Sequence, residues 1–145
     1  MMPIPSIYSW SIDHIKAVFE AKSEDECLRA IEETFSHHID VSVNGKELSR
    51  PELQKFVLTM VKTSGYRLSV AWQNALEVPR DPSNRDGVLG GYYIIRNVRK
   101  PGPSAARFER HKYVNVVIES ESPNDHVDSR RIVKLALTAM DKPAS

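Results

Sequence analysis

The amino-acid sequence predicts an α+β domain in which three helices pack on one face of a curved antiparallel sheet. Three segments in the first half carry apolar residues at helical spacing, and four long segments in the second half read as strands. Short connections containing Gly or Pro separate several of these segments. We expect residues 1–10 to form an extended arm, residues 11–141 a single domain and residues 142–145 a tail.

The first two helices are predicted from apolar spacing and from a capping signal. Helix one is expected from Ser11 to Glu20, because apolar residues recur there on one helical face. These residues are Ile12, Ile15 and Phe19. Helix two opens with Ser23 and Glu26, a capping box in which each side chain can accept from the other's backbone N–H. Its apolar stripe consists of Cys27, Leu28, Ile31 and Phe35.

A short strand and a third helix follow. Residues Ile39–Val43 alternate between apolar and polar, and Asn44-Gly45 suits a tight turn with positive φ. Ser49 and Glu52 form a second capping box, with Pro51 in the first turn, where its missing N–H loses no hydrogen bond. The apolar face of this helix consists of Leu53, Phe56, Val57, Met60 and Val61.

Four long strands are predicted in the second half. They are Leu68–Glu77, Val88–Val98, Phe108–Glu119 and Arg131–Met140. Alternation of apolar and polar residues supports a strand for the last segment, although its Leu, Ala and Met residues also favour a helix.

Composition argues against several classes of function. The chain has 145 residues, a net charge of +1 and interspersed acids and bases, which gives no sign of a nucleic-acid partner or a membrane surface. Its apolar runs are too short to span a bilayer. The single cysteine, Cys27, fits a reducing compartment, so we expect a cytoplasmic protein. A Gly-rich phosphate loop and His/Cys metal spacing are both missing from the sequence, so we expect no cofactor and no metal.

The order of these elements resembles the NTF2-like superfamily, which includes SnoaL-like polyketide cyclases, ketosteroid isomerase and scytalone dehydratase. Phe35–Lys46 looks like the family's entry into its first strand, and Ser49–Met60 is similar to the helix that follows. Ser129–Leu135 resembles the closing strand, and the similarity extends roughly over residues 11–140. It specifies the fold far better than the function.

The resemblance implies a cone-shaped half-barrel whose curved sheet wraps around the helices and leaves an apolar cavity open at one end. It also implies a homodimer formed through the outer sheet face. The large apolar residues on both faces of Tyr92–Ile95 and of Val114–Ile118 are consistent with this use, because an uncovered apolar face is a liability. The alternative is that these positions only flank the core.

Isomerases and dehydratases of this superfamily need a carboxylate or histidine base inside the cavity. The steroid isomerases place it at positions that resemble residues 42–44 here, and Ser, Val and Asn cannot act as a base. Asp40 is the nearest carboxylate and either faces the cavity or lies exposed at the strand entry. His14 borders the apolar face of helix one, which lines the cavity in this family, or belongs to its solvated face.

The third long strand carries His111, Tyr113 and Asn115 on one face. If that face is concave, they form a polar ladder in the cavity and His111 is the first catalytic candidate; if it is convex, they are dimer or surface residues. Trp72 and Asn74 are expected on an inward face, with Trp72 in the core or in the cavity wall. The predicted ligand-binding residues are Trp72, Asn74, Tyr92, Tyr113, Phe19 and Phe56.

Two functions from different classes follow. The first is binding of a small hydrophobic metabolite, with or without lyase or isomerase turnover by acid–base chemistry. The second is a non-catalytic protein-interaction or dimerisation module that uses the sheet surface. A titratable side chain reaching into the cavity would favour the enzyme.

Overall fold

Three helices lie against one face of a six-stranded sheet in the computed structural model, which describes residues 4–103 and 105–144. The helices within these residues are α1 (Ile7–Phe19), α2 (Glu24–Thr34) and α3 (Arg50–Thr63). The strands are β1 (Phe35–Val43), β2 (Lys46–Leu48), β3 (Ser69–Pro79), β4 (Gly87–Val98), β5 (Phe108–Ser120) and β6 (Arg130–Pro143). The predicted α+β class is confirmed, and the segment that could have been a helix is strand β6.

The strands are ordered β2-β1-β6-β5-β4-β3, so the last strand of the chain lies inside the sheet. Neighbouring strands run antiparallel, except that β1 and β6 run parallel. The sheet is therefore mixed, where the sequence predicted antiparallel pairing throughout. β1 and β6 are separated by most of the chain, so no hairpin turn fixes their relative direction.

Two elements, α1 and β1, begin several residues earlier than the sequence predicts. α1 begins at Ile7 rather than Ser11, because Ser6 caps it: the Ser9 backbone N–H donates to Ser6 Oγ at 3.0 Å. β1 begins at Phe35 rather than Ile39, because Phe35 leaves the helical conformation and pairs with Ile132 of β6.

Capping holds the other two helices as predicted, with one difference. At α3 the Glu52 N–H donates to Ser49 Oγ (3.2 Å) and the Ser49 N–H donates to Glu52 Oε1 (2.9 Å), which completes the capping box. At α2 the Glu26 N–H donates to Ser23 Oγ (3.1 Å), but the Glu26 carboxylate accepts from the Lys22 N–H instead (2.9 Å).

A β-bulge in β3 changes which side chains face the helices. The register shifts between Trp72 and Asn74, so one extra residue is inserted and the alternation of faces is reversed beyond it. Trp72 therefore lies on the inner face, against Tyr93, whereas Asn74 is exposed on the outer face. The predicted inward position of Asn74 is wrong for this reason.

The connection between β5 and β6 is anchored by Arg130, which is fully buried. Its Nη2 donates to Asp128 Oδ2 at 2.8 Å, and its Nη1 donates to the carbonyl oxygens of Pro5 (2.7 Å) and Asn84 (3.0 Å). The guanidinium carbon also lies 5.7 Å from the centre of the Trp10 ring. This single side chain ties the N-terminal segment, the β3–β4 loop and the start of β6 together.

Candidate functional site

A cavity of about 190 Å³ lies between the helices and the inner face of the sheet. Its wall is mainly apolar and takes side chains from α1, α3, β1, β2, β4, β5 and β6. Representative wall residues are Ile15, Phe19, Phe35, Val57, Tyr93 and Leu137. The polar side chains in the wall are those of Asn44, Arg110, Lys112 and Asp141.

Lys112 lies in the middle of β5 and is only 6% exposed. It points inward because it shares the alternation of the buried Val114, Val116 and Ile118 on the same strand. Its Nζ lies 4.4 Å from the centre of the Phe19 ring and 5.8 Å from that of Tyr93. The structure thus places an amine beside two neighbouring aromatic rings in a mainly apolar wall.

Burial lowers the pKa of Lys112 to about 7, because the apolar wall penalises the charged amine. The positive charge of Arg110 lowers the pKa further, and the carboxylate of Asp141 partly opposes both effects. Among the described residues, no ion pair and no hydrogen bond joins Nζ to an acceptor, and the Asp141 carboxylate is bound by Arg110 instead. A substantial fraction of the amine is therefore neutral near pH 7, which fits it for hydrogen bonding, proton transfer or nucleophilic attack.

An ion pair stands between this cavity and a wider depression of about 620 Å³ beside it. Arg110 donates to Asp141 through Nε (2.7 Å) and Nη2 (3.0 Å), and Lys100 Nζ lies 3.2 Å from the same carboxylate. The hydrogen bonds from Arg110 hold the pKa of Asp141 below its ordinary value. Phe56 borders both spaces and is 53% exposed, so the rim combines a charged pair with an exposed aromatic ring.

The predicted ligand-binding residues divide between the two faces of the sheet. Phe19 and Phe56 line the cavity. Trp72 packs behind Tyr93, with ring centres 4.6 Å apart. Of the two predicted positions for Trp72, core or cavity wall, the structure has the core position. Tyr92 lies on the outer face, so Tyr93 is the tyrosine of this pair that faces inward. Tyr113, like Asn74, is exposed on the outer face.

The three catalytic candidates lie outside the cavity wall. His111 is on the convex face, where its Nδ1 is hydrogen-bonded to the Tyr92 hydroxyl at 2.5 Å, and Tyr92 in turn stacks on Tyr113. Asp40 is exposed on β1. His14 Nδ1 lies 2.8 Å from the Trp10 carbonyl oxygen, and its ring stacks on the Trp10 ring. None of the three is part of the cavity wall. The face of β5 that carries His111, Tyr113 and Asn115 is therefore the convex one, and these residues form no polar ladder inside the cavity.

Lys112 was missed by the sequence reasoning, although a signal for it exists. Val114, Val116 and Ile118 alternate on β5, and continuing that alternation backwards reaches Lys112 and Arg110 rather than His111.

The outer face of the sheet is the second notable surface. Five of its large apolar side chains are exposed, from 42% for Val88 to 75% for Leu76. They define what we call the outer apolar face: Leu76, Val78, Val88, Tyr113 and Met140. Exposed apolar side chains gathered on one sheet face are typical of interaction surfaces.

Within the described residues, no three His, Cys, Asp or Glu side chains are grouped as metal ligands would be. Likewise, none of the helices in that part of the chain has both the length and the apolar character needed to cross a membrane.

Comparison with solved structures identifies the fold. The Mtr2–Mex67 M domain complex of C. albicans aligns with a TM-score of 0.63 at 13% identity, covering 95% of this chain and 96% of that chain. AclR, a proposed hydroxylase from Streptomyces galilaeus, aligns with a TM-score of 0.61 at 12% identity, covering 91% and 90%. An NTF-2 like protein of unknown function from Pseudomonas aeruginosa aligns with a TM-score of 0.55 at 14% identity, covering 92% and 94%.

The chain therefore has the NTF2-like fold, and the resemblance seen in the sequence is confirmed at the level of the fold. No protein-family model matches the sequence, and no curated protein matches it either. Function has to be argued from the site.

Proposed function

We propose that the protein binds a small hydrophobic molecule in the cavity, with Lys112 as its polar contact. The observation that carries this proposal is a buried amine set in a mainly apolar wall beside the rings of Phe19 and Tyr93. Binding sites for small molecules combine such apolar walls with a few oriented polar groups. Engineered apolar cavities of about 150 Å³ bind benzene, so the cavity here suits a single ring or a short aliphatic chain.

Lys112 also supports the enzymatic form of this proposal. Acid–base catalysis of the lyase or isomerase type needs a group whose pKa lies near the working pH. A lysine with a pKa of about 7 meets this requirement inside the cavity. His111, Asp40 and His14 do not line that space, so Lys112 replaces them as the first residue to test.

A thermal-shift experiment with single-ring apolar compounds, such as toluene and benzyl alcohol, tests binding. Ala139 lines the cavity, so Ala139→Leu should fill part of it and abolish the stabilisation, whereas Ala17→Leu on the exposed side of α1 should leave it intact. A ligand that binds only the folded state raises the melting temperature. Equal shifts in both variants, or no shift in the unaltered protein with any compound, would reject cavity binding.

A second function is favoured by a separate observation. We propose that the outer apolar face pairs with a second copy of the chain to form a homodimer, because Leu76 and Tyr113 leave large apolar area in water in a single copy. Burying that area on a second copy supplies the driving force for association. In this non-catalytic role the sheet acts as an interaction module.

Sedimentation velocity tests the dimer. Leu76→Glu and Tyr113→Glu should each give monomers, since a charge buried at the centre of the interface lacks a partner. Val127→Glu is the matched control, because Val127 is also exposed but lies in the β5–β6 connection. A monomeric unaltered protein at tens of micromolar (~10⁻⁵ M, a concentration at which stable dimers persist) contradicts the proposal.

A cytoplasmic location is also proposed, on the evidence of one buried free thiol. Burial raises the pKa of Cys27 to about 11, with Glu24 and Glu26 adding to the effect, so the thiol stays protonated and unreactive. Fluorescence microscopy of a tagged chain tests the location, and a signal confined to a secretory compartment would exclude it.

A further inference from the structure

We infer that Lys112 binds a small apolar aldehyde or ketone covalently, as an imine formed in the cavity. This inference rests on the cavity-binding proposal above, and it adds the chemical class of the ligand and the atom that it joins.

The position of Lys112 meets the two conditions under which a lysine becomes a nucleophile. An amine is activated by desolvation in an apolar pocket or by a neighbouring cation. Lys112 is 6% exposed and its Nζ lies beside the Phe19 and Tyr93 rings, in a mainly apolar wall, which provides the first condition. Arg110, two residues away on the same strand and also in the cavity wall, provides the second.

The remaining ionisable groups of the wall leave the amine unpaired. Asp141 is held by two hydrogen bonds from Arg110 and by Lys100, so its charge is largely compensated. Tyr93 is buried, which raises the pKa of its phenol and keeps it neutral. A carbonyl compound brings no charge into the cavity, whereas a carboxylate would have to lose its hydration there, at a large desolvation cost.

The reaction needs no partner other than the carbonyl compound. The lone pair of the neutral Nζ attacks the carbonyl carbon, a C–N bond forms, and the π electrons of the C=O bond move to oxygen. One of the two protons on nitrogen passes to that oxygen and gives a carbinolamine. The nitrogen lone pair then forms the C=N bond as the C–O bond breaks, and the hydroxyl group leaves as water with the second proton of nitrogen. The balance is amine plus carbonyl giving imine plus one water.

Reductive trapping tests the inference on the unaltered protein. The protein is incubated with benzaldehyde and sodium cyanoborohydride at pH 7, and intact-mass measurement with peptide mapping locates the benzyl groups. We expect one group on Lys112, added at least ~10-fold faster than on any exposed lysine, because exposed amines are almost fully protonated at that pH. Labelling spread evenly over the lysines would overturn the inference.

Two variants and a competitor locate the reaction in the cavity. Lys112→Arg keeps the charge but removes the amine, so it should remove the fast label, whereas Lys134→Arg on the exposed face of β6 should retain it. Benzyl alcohol, which has the same ring but no carbonyl group, should protect Lys112. A fast label that persists in Lys112→Arg, or that benzyl alcohol does not slow, would overturn the inference.

The pH profile of labelling and the thermal-shift measurement distinguish imine formation on Lys112 from binding in the cavity alone. The rate on Lys112 should rise with a midpoint near pH 7, and a midpoint near the ordinary lysine value would overturn the inference. If benzyl alcohol stabilises the protein but Lys112 is not selectively labelled, imine formation is rejected and cavity binding stands. If neither stabilisation nor selective labelling occurs, both are rejected.

Discussion

Replacing Lys112 with methionine should raise the free energy of unfolding at low pH. The difference from the unaltered protein should shrink as the pH rises. Methionine is flexible and apolar, so it fills the same space beside Phe19 without a charge. The folded pKa of Lys112 is about 7, against an ordinary value of 10.5. The difference of about 3.5 pKa units corresponds to about 5 kcal/mol at 1.36 kcal/mol per unit, which is an upper bound because water entering the cavity reduces it.

The sign of the pH dependence follows from where the proton is bound. Below pH 7 both the folded and the unfolded chain carry the proton, so the folded state bears the whole cost of the buried charge. Between pH 7 and 10.5 only the unfolded chain keeps the proton, and the unaltered protein gains up to about 1.4 kcal/mol of unfolding free energy per pH unit. The advantage of Lys112→Met should therefore be greatest at pH 6 and shrink through pH 8 and 9.

Urea unfolding of both proteins at several pH values from 6 to 9.5 measures this difference, in which the titration of other groups cancels. Lys134→Met is the control, because Lys134 is exposed and should show no such trend. A difference between Lys112→Met and the unaltered protein that does not change with pH would refute the argument. So would a methionine variant that is less stable at pH 6.

Three further substitutions test the packing that surrounds the site. Gly91→Ala should lower the unfolding free energy by about 1–3 kcal/mol, because the added Cβ would lie 2.7 Å from Trp72 Cζ3; unchanged stability in urea would disprove this close approach. Arg130→Met should cost about 3 kcal/mol by leaving Asp128 and two carbonyl oxygens without their donor, and a melting temperature within the error of the unaltered protein would contradict it. Ser49→Ala should cost about 1 kcal/mol through loss of the α3 cap, which calorimetry would detect, whereas Ser49→Asp should restore most of it.

The parts of the fold that were predictable depend on neighbours in sequence. Ser23 and Ser49 cap α2 and α3 because a capping side chain needs only the next three residues. Alternation along the segments of β3 and β6 likewise identified them as strands. These local signals were enough to recognise the NTF2-like fold.

The parts that were not predictable depend on contacts distant in sequence. The bulge that turns Asn74 outward occurs where Trp72 lies directly over Gly91 of the neighbouring strand, and nothing within β3 alone indicates it. Assigning His111 to the cavity required knowing which face of β5 is concave. The three apolar residues that follow Lys112 on alternate positions of β5 held that information.

The central position of β6 has a consequence for synthesis. β6 pairs with β1 on one side and with β5 on the other, so Phe35 meets its partner Ile132 only after α3 and strands β2 to β5 have been synthesised. Until then β1 and β5 each have an unpaired edge, and the cavity lacks the part of its wall that β6 supplies. A nascent chain of this protein must therefore wait for the fourteen-residue strand β6 before β1 and β5 can be joined in one sheet.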